Sequence, residues 1–140
     1  METPFIYNDG GRVEAGYSAR STGDCVTRAI AIAAQLPYST VYDELAKRCK
    51  LQPKLKSHPR TGVNKKIYVP YLEELGFEWV TTMKIGAGCT THLTPTELPE
   101  GRIIVKLSKH LAAVINGVVN DTYDCSRDGS RCVYGYYIKK

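Results

Sequence analysis

Long apolar runs are missing from this 140-residue sequence: no stretch approaches the roughly 18 to 20 consecutive apolar residues that a membrane-spanning helix needs. The start, METPFIYNDGGRVEAG, lacks the basic and then apolar pattern of a signal peptide. Internal repeats, low-complexity segments and linkers are absent too. We therefore expect a single domain over residues 1–140 that stays in the cytoplasm and has no membrane partner.

CxxC pairs are also absent, and the number of cysteines is odd. The five cysteines are Cys25, Cys49, Cys89, Cys125 and Cys132. This pattern indicates neither a disulfide framework nor a zinc ribbon, so most of the thiols are expected to be free, with Cys125 and Cys132 an inert pair on either side of a turn. A zinc site built from Cys89 and His92 with Cys125 or Cys132 is the less favoured alternative, because the ligand spacing is incomplete. No metal or organic cofactor is predicted.

Acidic residues are missing from one basic segment, residues 47–66, which carries eight Lys or Arg residues and contributes to the net charge of +5. A solvated loop is the usual explanation of such a run, and nucleic acid or another acidic partner is the alternative. Tyr134, Tyr136 and Tyr137, beside Lys139 and Lys140, could stack bases, although packing of a last strand explains them as well.

Three helices are predicted in the first half of the chain. Residues 24–35 carry apolar side chains at the i, i+3, i+4 and i+7 spacing of a buried helix face, which indicates a central helix. Residues 39–49 restart after a proline, with Thr40 as the expected N-cap. Residues 63–76 form the third helix, in which Pro70 implies a kink or a late start.

Short strands are predicted in the second half. FEWVTTMKI alternates like a strand, TPTELPEG is typical of a single helical turn, and RIIVKL, LAAVIN, GVVNDTY and CVYGYYI follow as strands joined by tight turns. The N-terminal segment FIYNDGGRVEAGYS suggests a small hairpin or an extended arm. The expected fold is α+β, with N-terminal helices packed on a C-terminal antiparallel β-sheet.

The dipeptide Asn116-Gly117 fixes the register of one hairpin, because a type I′ turn needs positive φ at both central residues. Counting outward from this turn places Ala112 opposite Asp121, with His110 diagonally across on the same face. Diagonal neighbours lie about 7 to 8 Å apart, which is within reach of a hydrogen bond between a carboxylate and an imidazole. The hairpin therefore predicts a histidine held by an acid, and Asp124 becomes the rival acid if the register slips.

Cys25 is the candidate nucleophile for such a base. It stands at the start of the predicted central helix, where unpaired N–H groups and the helix dipole lower a thiol pKa and favour an oxyanion. Cys25, His110 and Asp121 together have the chemistry of a nucleophilic triad, in which the acid orients the base.

The order of these residues resembles the papain-like cysteine peptidase superfamily. A cysteine opens a central helix in GDCVTRAIAIA, a histidine starts a strand in SKHLAAVI, and an aspartate follows on the next strand in VVNDTYD, within a likeness that extends from residue 24 to 138. The small size is similar to that of minimal bacterial and phage members. The resemblance implies a papain-like fold in which Cys25 is the nucleophile, His110 the base and Asp121 the orienting residue.

The oxyanion hole is where the sequence departs from that family. Papain-like peptidases commonly carry a Gln a few residues before the cysteine, and GYSARSTGDC has none. Ser21 and Thr22 are the candidates in its place, with Ser18, Arg20 and the backbone N–H of Cys25 as further donors.

The function expected from these residues is a thiol-dependent amide or acyl hydrolase, a cysteine protease in kind, that acts on a peptide or protein through a covalent acyl-enzyme. Transfer and deamidation remain open outcomes, because the acceptor is not readable from the residues. Specificity is expected in loops 50–66 and 84–94. The alternative function is a catalytically idle papain-like binding protein that contacts nucleic acid or another acidic partner through the basic segment, residues 47–66.

Overall fold

Apolar periodicity in the first half of the chain produces three α-helices in the computed structural model, which describes residues 3–20 and 23–139. They are α1 (Cys25–Ala34), α2 (Tyr38–Leu51) and α3 (Lys65–Glu74), with a short 3-10 turn, Pro53–Leu55, after α2. Helix α1 is the central helix that the spacing predicts, because it packs against both α2 and the sheet. No helix in these described ranges is both long enough and apolar enough to cross a membrane.

The second helix begins earlier than predicted, and the third begins within its predicted range. Helix α2 begins at Tyr38 with Pro37 at the N-cap position, so the expectation that Thr40 caps it is wrong. Pro37 has a φ of −58°, the value that its ring fixes, and the helix begins directly after it, three residues earlier than expected. Helix α3 is capped by Asn64, whose side chain accepts a hydrogen bond from the Lys66 N–H at 2.9 Å, and it continues through Pro70.

The sheet has six strands in the described part of the chain. They are β1 (Phe5–Tyr7), β2 (Phe77–Thr81), β3 (Arg102–Leu107), β4 (His110–Ile115), β5 (Val118–Asp121) and β6 (Gly135–Lys139), in the spatial order β1-β5-β4-β3-β6-β2. All neighbours are antiparallel except β1 and β5, which run parallel.

The expectation of an antiparallel sheet is therefore wrong in one respect, since the sheet is mixed. The N-terminal segment does not fold back as a hairpin within the described residues but lies as an arm along the edge of β5, with Phe5 opposite Val119. Strand β2, which precedes the run of C-terminal strands, closes the other edge against β6. The α+β class itself is confirmed.

Two apolar clusters cover the two faces of the sheet. The first lies between the helices and one face and includes Ile30, Leu45, Leu72, Ile104 and Leu111. The second lies under loops on the other face and includes Leu93, Val105, Leu107, Val114 and Val133. Residues 95–97, where a helical turn is predicted, form only a turn in one of these covering loops.

A disulfide joins Cys89 to Cys132, and this pairing was not expected from the cysteine pattern. It links the loop after β2 to the segment before β6, which are held side by side by backbone hydrogen bonds of 2.8 Å from Leu93 to Arg131 and from Val133 to Thr91. The expected inert thiol pair of Cys125 and Cys132 is therefore not formed. Cys25, Cys49 and Cys125 are free, as expected of most of the thiols.

Candidate active site

Cys25 is the first residue of α1 and lines an open cavity of about 260 Å³. The loop before it approaches another loop closely, since a Cβ on Gly23 would lie 2.3 Å from the carbonyl oxygen of Thr61. Only glycine fits this contact. Thr27 donates a hydrogen bond of 2.7 Å to the carbonyl of Pro59, which fastens the same loop to the helix. The start of α1 is thereby held beside the wall of the cavity.

His110 opens strand β4 and reaches the same cavity. It follows the tight turn Ser108-Lys109, whose flanking residues Leu107 and His110 pair across β3 and β4. The imidazole is largely buried, with 8% of the residue exposed, and the ring of Tyr123 lies 5.3 Å from it between centroids. Leu111, the next residue of β4, lines the cavity together with Cys25 and His110, so the start of the helix and the start of the strand lie side by side there.

The register of the β4–β5 hairpin is the predicted one. Ile115 pairs with Val118 and Ala113 with Asn120, so that Asp121 stands diagonally from His110. Nε2 of His110 lies 2.6 Å from Oδ2 of Asp121. Asp124 is instead used in the following turn, where its carboxylate accepts hydrogen bonds from the backbone N–H and the hydroxyl of Ser126.

The pKa values of the three groups are shifted in a concerted way. Burial alone would raise the pKa of the Cys25 thiol, but its hydrogen bond with His110 and the charge of that ring lower it overall. Burial would lower the pKa of His110, whereas its hydrogen bonds to Asp121 and to the thiols of Cys125 and Cys25 raise it. Asp121 is buried, which opposes its ionisation, yet His110 and Arg28 hold its pKa below the ordinary value. These shifts favour a thiolate on Cys25 beside a protonated His110.

A buried ionic network lies behind the site, and it was not predicted from the sequence. Arg28 forms ion pairs with Asp24 and with Asp121, while Arg12 contacts both oxygens of Asp24 at 3.0 and 3.1 Å. The hydroxyl of Tyr38 donates to Asp24 at 2.8 Å. The negative charge of Asp24, directly before Cys25, is therefore balanced. An arginine inside an otherwise Ala- and Ile-rich helix, four residues after an aspartate, was the available signal.

Cys125 contacts the same histidine from a position outside the residues that line the cavity. It is 1% exposed, and burial raises the pKa of its thiol, in contrast to Cys25. Ligand atoms of His110, Asp121 and Cys125 lie within 4.8 Å of one another, which is the spacing of a metal site. Asp121 is already paired with the guanidinium of Arg28, however, and this charge disfavours a cation at the same carboxylate.

The remaining candidates from the sequence have different outcomes. Ser21 and Thr22, the oxyanion candidates, are outside the described residues. His92 contacts Glu97 at 3.2 Å, and its Nε2 lies 3.7 Å from the sulfur of Cys89. Cys89 is bonded to Cys132 and so does not form the alternative zinc site as it stands.

The basic segment, residues 47–66, spans the end of α2 and the start of α3. Part of its charge is neutralised, because Arg48 contacts Glu44 at 2.8 Å and Glu74 at 2.6 Å. Among the C-terminal tyrosines, Tyr137 is buried and packs on the ring of Trp79 at 4.8 Å between centroids. Binding of an acidic partner through this segment stays a prediction.

No protein-family model, curated protein or solved structure matches the chain. The likeness to papain-like peptidases therefore rests on the order of Cys25, His110 and Asp121 and on their geometry. A helix carries the cysteine, and adjacent antiparallel strands carry the histidine and the aspartate.

Proposed function

We propose that this chain is a thiol-dependent amide or acyl hydrolase of papain-like design, with a peptide or protein as its substrate. One observation carries the proposal: Cys25 and His110 line the same open cavity, and Nε2 of His110 contacts Asp121 at 2.6 Å. The ring of His110 also lowers the pKa of the Cys25 thiol. A nucleophile, a base and a group that orients the base are the parts that acyl transfer requires.

In the first step, the thiolate of Cys25 attacks the carbonyl carbon of the substrate. A carbon–sulfur bond forms, and the negative charge moves to the carbonyl oxygen. His110, protonated in the resting site, then gives its proton to the departing amine or alkoxide as the bond to the carbonyl carbon breaks. The product of this step is an acyl-enzyme in which Cys25 carries a thioester.

In the second step, His110 is neutral and takes a proton from water. The hydroxide attacks the thioester, the acid leaves, and Cys25 is released as a thiolate beside a protonated His110 again. Asp121 accepts the hydrogen bond from Nε2 throughout and so fixes the ring orientation. The N–H of Cys25, in the first turn of α1, is a donor for the oxyanion, because the Asp24 side chain does not cap the helix.

The first test is the alkylation rate of each free cysteine at about pH 6, well below the ordinary thiol pKa near 8.5, measured by mass spectrometry with iodoacetamide. We expect fast labelling of Cys25 alone. Cys49 and Cys125 are controls within the same molecule, because burial raises the pKa of both thiols. His110→Ala should slow the labelling of Cys25 to the rate of these controls. Equal rates for Cys25 in the wild type and in this variant would show that His110 does not activate it.

The second test separates a hydrolase from a merely reactive thiol. p-Nitrophenyl acetate should acetylate Cys25, with release of p-nitrophenolate, and water should then regenerate the thiol with release of acetate. Cys25→Ser should abolish both the acetylated mass and the burst of p-nitrophenolate, whereas Cys49→Ser, at a free thiol away from the site, should retain them. Fast alkylation without any acetylated intermediate or turnover would contradict the proposed function and favour the catalytically idle alternative.

A further inference from the structure

The cavity beside Cys25 has an uneven charge. Lys106 and Lys109 line it on the side of His110, and none of the described residues that line it is acidic. Thr61, Val63 and Tyr68, which also line the cavity, are uncharged. The mechanism proposed above uses neither lysine.

The two lysines are held in different ways. Lys106 is on β3, paired with Leu111 and Gly135, and it is partly buried. Lys109 is in the turn directly before His110, with a positive φ of 57°, where a side chain is tolerated only at a cost.

Neither lysine forms an ion pair with any residue in the ranges 3–20 and 23–139. The nearby carboxylates Asp24 and Asp121 are each paired with arginines. Two lysines thus line a cavity at which no described carboxylate is left to balance their charge. Such a cavity focuses a positive potential and raises the local concentration of anions.

Resting on the proposed function, we infer that the substrate carries a carboxylate close to the reacting carbonyl, and that Lys106 and Lys109 bind this carboxylate. The carboxylate belongs either to an acidic side chain or to a chain terminus. A lysine ammonium is a compact charge that suits a carboxylate without demanding one fixed geometry. The two lysines are therefore the specificity-determining residues of the site.

The test compares two alkylating reagents of nearly equal size, iodoacetate and iodoacetamide, on Cys25 of the whole chain. In both reactions the thiolate sulfur forms a bond to the methylene carbon and iodide leaves, but only iodoacetate is an anion. Both rates are proportional to the thiolate fraction of Cys25, so the ratio of the two rates in one variant does not depend on that fraction. The iodoacetamide rate alone reports whether Cys25 is activated, so failure of the proposed function is distinguished from failure of this inference.

Lys109→Asn and Lys106→Met are the informative variants, because Asn tolerates a positive φ and Met retains the length of the lysine stem. We expect each variant to lower the ratio of the iodoacetate rate to the iodoacetamide rate about two- to fivefold, because each removes one positive charge several ångströms from the reagent in a partly solvated site. The double variant should lower this ratio further. Lys139→Gln is the matched control, since Lys139 is exposed at the far end of β6, opposite Phe77. A ratio unchanged in both lysine variants, or equally reduced in the control, would overturn the inference.

Protection of Cys25 from iodoacetamide identifies the source of the carboxylate. N-acetylglutamate α-amide, compared with N-acetylglutamine amide, represents an acidic side chain, and N-acetylglycine, compared with its amide, represents a chain terminus. We expect one of the two acids to protect better than its neutral partner, and Lys109→Asn to remove the difference. If neither acid protects better than its amide, the inference is wrong.

Discussion

Arg28 and Asp121 are 93 positions apart in the chain and form a buried ion pair behind the ring of His110. One oxygen of Asp121 contacts Arg28 and the backbone N–H of Thr122, and the other contacts His110. Arg28 belongs to the helix that begins with Cys25. The same helix therefore positions the thiol directly and, through this ion pair, the carboxylate that orients the imidazole.

Replacement of Arg28 tests how far this pair supports the fold. Arg28→Met removes one partner from the carboxylates of Asp24 and Asp121, both of which are buried. Because an unpaired buried charge is costly, we expect the free energy of unfolding in urea to fall by about 3 to 5 kcal/mol. Arg28→Lys retains a charge and should recover part of this loss.

The control for this prediction is Arg48→Met, which removes two ion pairs near the surface, with Glu44 and Glu74, whose side chains are 31% and 64% exposed. Surface pairs contribute little, so we expect a loss of about 1 kcal/mol or less. Similar losses in Arg28→Met and Arg48→Met would show that the buried pair is not a special support of the fold.

Asp121→Asn tests the origin of the shifted pKa values at the site. Without the carboxylate, the raised pKa of His110 should fall toward its ordinary value near 6.5, and the lowered pKa of Cys25 should rise with the loss of the imidazolium. Each unit of that rise lowers the thiolate fraction about tenfold at a pH below both values. We therefore expect the iodoacetamide rate of Cys25 to fall at about pH 7.5, where an imidazole with a pKa near 6.5 is mostly neutral, and the inflection of its pH profile to move to higher pH.

Asp124→Asn is the matched control, because Asp124 is the rival acid in the sequence and serves the turn at Ser126. It should leave the pH profile of Cys25 in place. A profile that shifts in the Asp124 variant and not in the Asp121 variant would reassign the orienting acid.

The hairpin of the site was predictable from the sequence, and the network behind it was not. Asn116-Gly117 fixes a local register, and alternation of side chains then places His110 and Asp121 on one face. The partner of Arg28 is set by how α1 crosses β5, and a local pattern does not encode that crossing. The parallel pairing of β1 with β5 and the Cys89–Cys132 disulfide are non-local for the same reason.

Tyr38→Phe tests the second half of the buried network. The Tyr38 hydroxyl donates a hydrogen bond to Asp24. Burial alone would raise the pKa of Asp24, but Arg28, Tyr38 and Arg12 lower it overall. Loss of a hydrogen bond to a charged group should lower the free energy of unfolding by about 1.5 to 3 kcal/mol at neutral pH. Tyr42→Phe is the control, because Tyr42 packs on the ring of Tyr38 and does not contact Asp24.

The same variant has an expected pH dependence. A carboxyl whose pKa is lowered by folding stabilises the protein above its ordinary value of 3.8, and this contribution is lost as the pH falls through the lower folded value. Tyr38→Phe should raise the folded pKa of Asp24 and so lessen the change in stability below about pH 4. Chemical denaturation at several pH values measures this, and an unchanged slope would show that Tyr38 does not contribute to the shift.

The Cys89–Cys132 disulfide gives the last prediction, which concerns both thiol count and stability. Under denaturing conditions without reductant, three thiols should react with an alkylating reagent, since Cys25, Cys49 and Cys125 are free, and reduction should make all five cysteines reactive. The bond links positions with a sequence separation of 43, so its removal should lower the free energy of unfolding by about 2 to 4 kcal/mol.

The double variant Cys89→Ser/Cys132→Ser should show the same loss and no further change with reductant, while Cys49→Ser retains the sensitivity to reductant. Five reactive thiols in the unreduced protein would contradict the pairing, because both sulfurs would then be free in solution.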